Sequence, residues 1–229
     1  GLSGQSFHLS DHGPFETVHS RLRPPFMAVP AGSIIPLTKD GGWKVRWIAS
    51  PFRINQLALA PLGSGLFRLL EGLPWDCTFD QLKGVPKIQE HLSQGKIAYA
   101  VDLTSATDYF PLDLQVAILR KLLPHAGSHV DLFAELSRCT WSTQKWGNVS
   151  WTQGQPMGLF PSFPSFALAH GTLLHLLSGG VPNSFFVLGD DVVILDENLN
   201  IRYKQTLQLL GCPTDPVKSI SSSQLTEFA

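Results

Sequence analysis

Ser184-Phe185-Phe186-Val187-Leu188-Gly189-Asp190-Asp191-Val192-Val193-Ile194-Leu195 is an apolar run broken by one polar insertion, Gly189-Asp190-Asp191. Two short apolar segments around a Gly-Asp-Asp turn predict a strand, a tight turn and a returning strand. Two adjacent carboxylates between buried strands repel each other and are poorly solvated, so they call for a compensating cation. A second apolar run, Lys96 to Leu103, carries Asp102 near its end and reads as another buried strand with a carboxylate at its tip. If the two strands pair, Asp102, Asp190 and Asp191 converge. Three such carboxylates suit two divalent ions about 3.5 to 4 Å apart, the arrangement that supports in-line attack on a phosphoryl group. Mg²⁺, a hard oxygen-seeking ion, is the expected metal, with Mn²⁺ as the alternative.

On either side of these strands the pattern is mostly helical. Pro111 suits the first turn of a helix whose stripe is Leu112, Val116, Leu119 and Leu123, and Pro124 stops it. A second helix is expected from a Ser128 cap to about Arg138. Thr140 to Trp151 alternates around Gly147-Asn148, a hairpin signal. Ser162 to Ser178 reads as an apolar helix closed by Gly179 and Gly180, with His170 and His175 expected to be core or strand-contacting residues. Leu199 to Leu210 is a helix with Ile201, Lys204, Leu207 and Leu210 on related faces and Gly211 as its stop. Upstream, Pro24, Pro25, Pro30 and Pro36 keep the first forty residues extended or turning. From Lys39 to Arg53, Lys39, Lys44, Arg46 and Arg53 alternate with Trp43, Val45, Trp47 and Ile48, predicting a strand with one basic and one apolar face. The order suits an α+β fold with a sheet covered on one face.

The order of these segments resembles viral RNA-dependent RNA polymerases. Asp102-Leu103-Thr104-Ser105-Ala106-Thr107-Asp108 is similar to their motif A, Gln153-Gly154-Gln155-Pro156-Met157-Gly158 with the helix after it to motif B, and Gly189-Asp190-Asp191 to motif C. The wording is closest to the narnavirus, mitovirus and ourmia-like group, relatives of the RNA-phage replicases. Lys44-Val45-Arg46 resembles basic motif F, Gly211 to Ser219 resembles motif D with Lys218, and Glu227-Phe228-Ala229 looks like the opening of motif E. The resemblance spans roughly residues 39 to 229.

It implies a right-hand polymerase: residues 1–95 would be partial fingers with the basic motif, and 96–229 the palm with motifs A to D and the start of motif E, the thumb missing. Asp102 and Asp190 would hold the two metals, with Asp191 as a supporting acid. Lys44 and Arg46 would neutralise an incoming triphosphate. Asp108 would accept a hydrogen bond from the ribose 2′-hydroxyl, although a helix N-cap is its simpler reading. Gly154 and Gly158 let backbone approach a nucleic-acid strand or turn sharply, and Ser162 matches a hydroxyl position of the family in the motif B region. Lys218 would donate a proton to leaving pyrophosphate or be a plain surface charge. Many positive-strand polymerases carry an Asn further along this helix. Here Phe166 stands near that place, which leaves the partner of Asp108 open. The partners implied are RNA template, nascent RNA and ribonucleoside triphosphates; the location implied is host cytoplasm, with the mitochondrion as the alternative.

Bulk properties bound this reading. With 43% hydrophobic and 15% charged residues the chain is globular in type, and a net charge of −1 means that nucleic-acid contacts must come from local patches. Three scattered cysteines, Cys77, Cys139 and Cys212, suit reduced thiols, and His8 with His12 has no acidic or thiol partner nearby for a zinc site. No run reaches the roughly 20 apolar residues of a membrane span. The start, without Met, and the abrupt end suggest a piece of a longer protein. Oligomeric state is not readable. The competing readings are a reverse transcriptase, which ordinarily has an aromatic residue before the paired aspartates where this chain has Leu188-Gly189, and a non-enzymatic RNA-binding domain, which has no use for buried carboxylates.

Overall fold

The computed structural model describes residues 29–38, 45–216 and 218–224. Lys39, Lys44, His8, His12 and the Glu227-Phe228-Ala229 segment lie outside them. Two four-stranded sheets and seven α-helices make a mixed α+β fold among the described residues. The Gly-Asp-Asp run forms the expected hairpin, β6 (Phe185–Leu188) and β7 (Asp191–Ile194), and β7 pairs antiparallel with β3 (Ala98–Asp102). β8 (Ile220–Ser222) completes this sheet on the other side of β3, in the order β6-β7-β3-β8.

Alternation divides the sheet into two apolar sets. Val101, Phe185, Val187, Val192 and Ile194 join the main core. Ala98, Ala100, Phe186 and Val193 turn the other way, against Cys77 and Ile88. The sheet is therefore covered on both faces, not one: Ile88 belongs to α2 (Val85–Ser93), a helix whose nine residues gave too short a stripe to read.

The other sheet has the order β2-β1-β4-β5. β1 (Gly32–Thr38) and β2 (Val45–Pro51) pair along their whole length, and β1 meets β4 (Trp141–Thr143) at Ser33 and Ser142. β4 pairs with β5 (Gly147–Val149). The basic strand is shorter than expected: it stops at Pro51, and Arg53 opens a helix. Its two-faced pattern also fails, because β2 is an edge strand on which Ala49 alone is buried and Trp47 remains 49% exposed. In the β4–β5 hairpin the turn is Gln144-Lys145-Trp146, not Gly147-Asn148, which begin the returning strand. Thr143 Oγ1 closes it, accepting from Trp146 N and donating to Gly147 O, each at 2.8 Å.

The longest helix, α1 (Arg53–Glu71), contains Pro61, and with Gly63 and Gly65 it carries three residues that argue against a helix. Packing overrides them. Leu59, Leu62, Leu66 and Leu70 form a buried stripe, Pro61 faces outward, and Gly63 leaves room for Phe160, whose ring would stand 2.5 Å from a Cβ there. α3 (Ala106–Tyr109) follows β3, and α4 (Leu112–Leu122) buries Leu112, Val116 and Leu119, with Pro111 immediately before it. α5 (Gly127–Arg138) starts one residue before Ser128, which does not cap it. α6 (Ser162–Leu177) ends at Gly179 and Gly180, both with positive φ. α7 (Glu197–Leu209) is capped by Asp196, which accepts from Leu199 N at 2.6 Å. Its inner face is Leu199, Tyr203 and Leu207; of the expected set Ile201, Lys204, Leu207 and Leu210, Leu207 alone is fully buried, and Ile201 is 45% exposed. No described helix is long and apolar enough to cross a membrane.

Polar pairs also sit inside this core, and one of them reaches the Gly-Asp-Asp turn. His170, fully buried on α6, places Nδ1 2.9 Å from the carbonyl of Gly189 and Nε2 2.5 Å from the Tyr203 hydroxyl. A carbonyl only accepts, so Nδ1 carries the proton and Nε2 accepts from Tyr203. Phe110, Phe166 and Tyr203 surround the ring, and burial lowers the His170 pKa to about 4. The expected core role thus holds for His170. His175, one and a half turns on, is exposed instead.

Two outcomes are expected. A Cβ on Gly171 would stand 1.9 Å from the Trp75 ring, itself packed on Phe185. Gly171→Ala should destabilise by roughly 1 to 3 kcal/mol, whereas Gly65→Ala, with nothing within 4 Å, should be neutral or mildly stabilising. Equal urea midpoints for both variants would contradict this packing. For His170 the folded state prefers the neutral form, with a pKa near 4 against the ordinary 6.5 of a solvent-exposed imidazole in the unfolded chain. Between these values the unfolded chain binds more protons, so its contribution is complete above pH 6.5 and declines as pH falls toward 4, by on the order of 3 kcal/mol. Urea unfolding across pH 4 to 7 should show that decline in the wild type and a shallower one in His170→Phe; parallel profiles would count against it.

Candidate active site

Of the three acidic residues of the sequence reading, strand register brings two side by side, and the third is the turn residue next to Asp191. Asp102 lies opposite Asp191 in the β3–β7 ladder, and Leu188 opposite Asp191 across the hairpin. Gly189 makes the turn with φ +62°, a conformation that a residue with a Cβ adopts only under strain. Its carbonyl is the one held by His170. Asp190 follows on the exposed tip, while Asp102 and Asp191 are half-buried. Among the described residues no three His, Cys, Asp or Glu side chains close into a metal cage.

The segment after α7 returns to Asp102. Asp215 N donates to the Asp102 carbonyl at 2.9 Å, and Ser219 Oγ accepts from Asp102 N at 3.3 Å. Lys218 Nζ stands 3.3 Å from Asp102 Oδ2. Its pKa is raised by the hydrogen bond and charge of Asp102, with smaller contributions from Asp215 and Asp191. The surface-charge reading of Lys218 is thereby too weak: the residue is exposed, but it is paired with a site carboxylate.

Motif B is a loop stitched to both sides. On one side, Gln155 N donates to Thr107 O at 2.8 Å and Leu112 N to Gln153 O at 2.9 Å. On the other, Ala49 N of β2 donates to Met157 O at 2.8 Å. Gly154 and Gly158 permit this: a Cβ would meet Thr107 O at 2.0 Å and Ala49 O at 1.9 Å respectively. Ser162 is buried and donates to Pro156 O at 2.7 Å, and Gln155 Nε2 donates to Ser162 O at 2.8 Å. Gln153 Nε2 reaches Tyr109 O and, at 2.8 Å, Leu210 O.

Asp108 does not cap its helix. α3 has Ser105 at the N-cap, in a left-handed conformation with φ +47°, and Asp108 lies within the helix, its Oδ1 accepting from the Trp151 indole N–H at 2.7 Å. Phe166 is core, edge-on to Phe110, and offers no polar partner. Arg46 is exposed on β2, three residues before the Ala49 contact; Lys44 lies outside the described residues.

Sequence reading missed three contributors. Gln56 of α1 donates to Gly158 O at 2.8 Å and accepts from Phe160 N at 2.9 Å, bracketing the loop. It lay in a helix that the sequence concealed. Trp151 looked like one aromatic in an alternating strand, and Tyr203 like one more apolar residue. The three thiols are free, and burial raises each of them, Cys212 to about 11.

Comparisons with known proteins bear on the family and the fold. Residues 25–229 match the family described as mitovirus RNA-dependent RNA polymerase. Over 211 residues the chain is 32% identical to the RNA-directed RNA polymerase of Cryphonectria parasitica mitovirus 1, covering 86% of this chain and 26% of that protein. It thus spans about a quarter of that relative's length. An uncharacterized mitochondrial protein of Arabidopsis thaliana is 31% identical over 170 residues, covering 67% of this chain and 78% of its own. Among solved structures, the BmCPV RNA-dependent RNA polymerase at elongation state superposes with a TM-score of 0.60 at 12% identity, over 92% of this chain and 22% of that one. Candida albicans telomerase does so with a TM-score of 0.58 at 14% identity, over 94% and 46%. Such low identities speak to the fold alone, which is polymerase palm-like. With its ordered motifs, its aspartate register and a family match over nearly its whole length, the chain belongs to the mitovirus RNA-dependent RNA polymerase family.

Proposed function

We propose that this chain is the catalytic part of an enzyme that copies an RNA template into RNA by template-directed addition of ribonucleotides. The observation that carries the reading is the register of Asp102 against Asp191 beside the His170-anchored turn that presents Asp190. The donor set fits Mg²⁺: all three groups are hard oxygen ligands, and this ion is commonly held by one or two carboxylates with substrate phosphates completing its shell, so a closed protein cage is not required. When bound, a pair of such ions supplies charge neutralisation for the attacking and leaving oxygens.

The remaining roles belong to the chain. Asp102 and Asp190 are the proposed ligands and Asp191 the supporting acid. Lys44 and Arg46 offer cations to the triphosphate, and the contact of Ala49 on β2 with the motif B loop supports the placement of Arg46 near it. Lys218, already kept protonated by Asp102, is the proposed proton donor to pyrophosphate. Gly154 and Ser162 shape the loop beside which the template strand would pass. The fingers assignment for residues 1–95 and the palm assignment for 96–229 remain part of this proposal, with the 141–149 hairpin reaching across to β1. The mitochondrion is the proposed location, supported by the plant mitochondrial relative.

The likeness to telomerase means that the fold does not separate RNA from DNA synthesis; the family match favours RNA. A non-enzymatic RNA-binding domain leaves the paired aspartates without purpose. In the complete protein that carries these residues, Asp190→Asn should lower Mg²⁺-dependent ribonucleotide incorporation at least about a hundredfold, or about 2.7 kcal/mol of barrier, with an unchanged unfolding midpoint. Primer extension near the wild-type rate would make the catalytic assignment wrong.

A further inference from the structure

Asp108 and Trp151 are 43 residues apart in sequence, and their contact has a fixed polarity. An indole N–H only donates and an ionised carboxylate only accepts, so the bond to Oδ1 turns the carboxylate to one orientation and leaves Oδ2 outside it. Trp151 is itself constrained. It stands edge-on to Trp141, ring centroids 6.4 Å apart at 89°, and Trp141 is fully buried. Two residues later the chain is tied to the motif A side by Leu112 N to Gln153 O and Gln155 N to Thr107 O, with Gly154 pressed against the Thr107 and Asp108 carbonyls. The backbone just after Trp151 is thereby held against motif A, which keeps the indole within reach of Asp108. Phe166, near the position where related polymerases carry an amide, is buried against Phe110 and His170 and has no donor to give.

We propose that Trp151 is a positioning residue for sugar selection: its indole N–H holds the Asp108 carboxylate so that the remaining oxygen accepts a hydrogen bond from the 2′-hydroxyl of an incoming ribonucleotide. The inference rests on the reading of Asp108 as the ribose contact. A deoxyribonucleotide, with no 2′-donor, gains nothing from the orientation, so loss of the indole N–H acts on one substrate and not the other.

The test compares kcat/KM for a ribonucleoside triphosphate and its 2′-deoxy counterpart in the complete protein carrying Trp151→Phe, Asp108→Ala, both together, or Trp141→Phe. Trp151→Phe keeps an aromatic edge and removes the donor. It should lower the ribo-to-deoxyribo ratio about tenfold, equivalent to 1.4 kcal/mol, through a higher KM for the ribonucleotide and an unchanged kcat/KM for the deoxyribonucleotide. Asp108→Ala should lower the ratio at least as far, and the double variant no further, since the two residues act as one unit. Trp141→Phe disturbs the same packing without touching the N–H and should leave the ratio alone, even if it lowers the unfolding midpoint as much. If Asp108→Ala keeps the wild-type ratio, the reading of Asp108 fails and the inference with it. If Asp108→Ala collapses the ratio but Trp151→Phe slows both substrates equally, or Trp141→Phe shifts the ratio as far as Trp151→Phe, Asp108 stands and the role of Trp151 is overturned.

Discussion

At Gly154 and Gly158 the chain runs so close to its neighbours that a side chain is excluded. A Cβ on Gly154 would collide with the Thr107 carbonyl and one on Gly158 with that of Ala49, and backbone hydrogen bonds tie the loop to both sides. Buried backbone groups must find partners, and here each bond joins two segments far apart in sequence. The strand β2, the helix after β3 and the N-terminus of α6 are thereby set relative to one another by main-chain geometry. Gln56 secures the loop from a third direction, using both ends of its amide. Positions fixed this way depend little on side-chain rotamers, and that suits a surface along which a polymer moves.

Strand register governs the acidic centre in the same sense. In a ladder of period two, a slip of one residue sends every side chain to the opposite face. Such a slip of β3 against β7 would separate Asp102 from Asp191 and turn Val101 away from the main core in which Val192 stays. Burial of the apolar set therefore enforces the placement of the carboxylates. The turn needs its own restraint, because Gly189 has wide conformational freedom. His170 provides it from within the core, its tautomer fixed by what each partner can donate or accept.

Elements with a clean period were readable from residues alone. The Gly-Asp-Asp hairpin, β3, α4 and α6 declare themselves because burial follows spacing closely there. α1 did not, since local signals from Pro61, Gly63 and Gly65 oppose a helix that tertiary packing imposes. α7 was found but its face was misjudged: Ile201 suggested an inner position, whereas the ring of Tyr203 is large enough to define the face and its hydroxyl finds His170. Candidate residues within the motifs could be named because their chemistry is local to short segments. Their second partners, Trp151 for Asp108 and Lys218 for Asp102, lie 43 and 116 residues away, and no spacing rule reaches that far.

The ion pair between Lys218 and Asp102 gives the acidic centre a character that the motifs alone do not convey. At 3.3 Å, with Lys218 exposed, the pair is solvent-screened, and contacts of this kind contribute little to stability. It nevertheless lowers the local repulsion between Asp102 and its cross-strand neighbour Asp191. A divalent cation on Asp102 would compete with the ammonium for the same oxygen and would bring twice its charge. Because the pair is weak, its loss costs little. A lysine displaced from Asp102 remains tethered by Asp215, whose backbone N–H donates to the Asp102 carbonyl, and by Ser219, whose hydroxyl accepts from Asp102 N, so it stays within reach of the site. Charge balance at Asp102 and the proposed proton donation are thus compatible in one side chain, because Lys218 is near the carboxylates yet not buried with them.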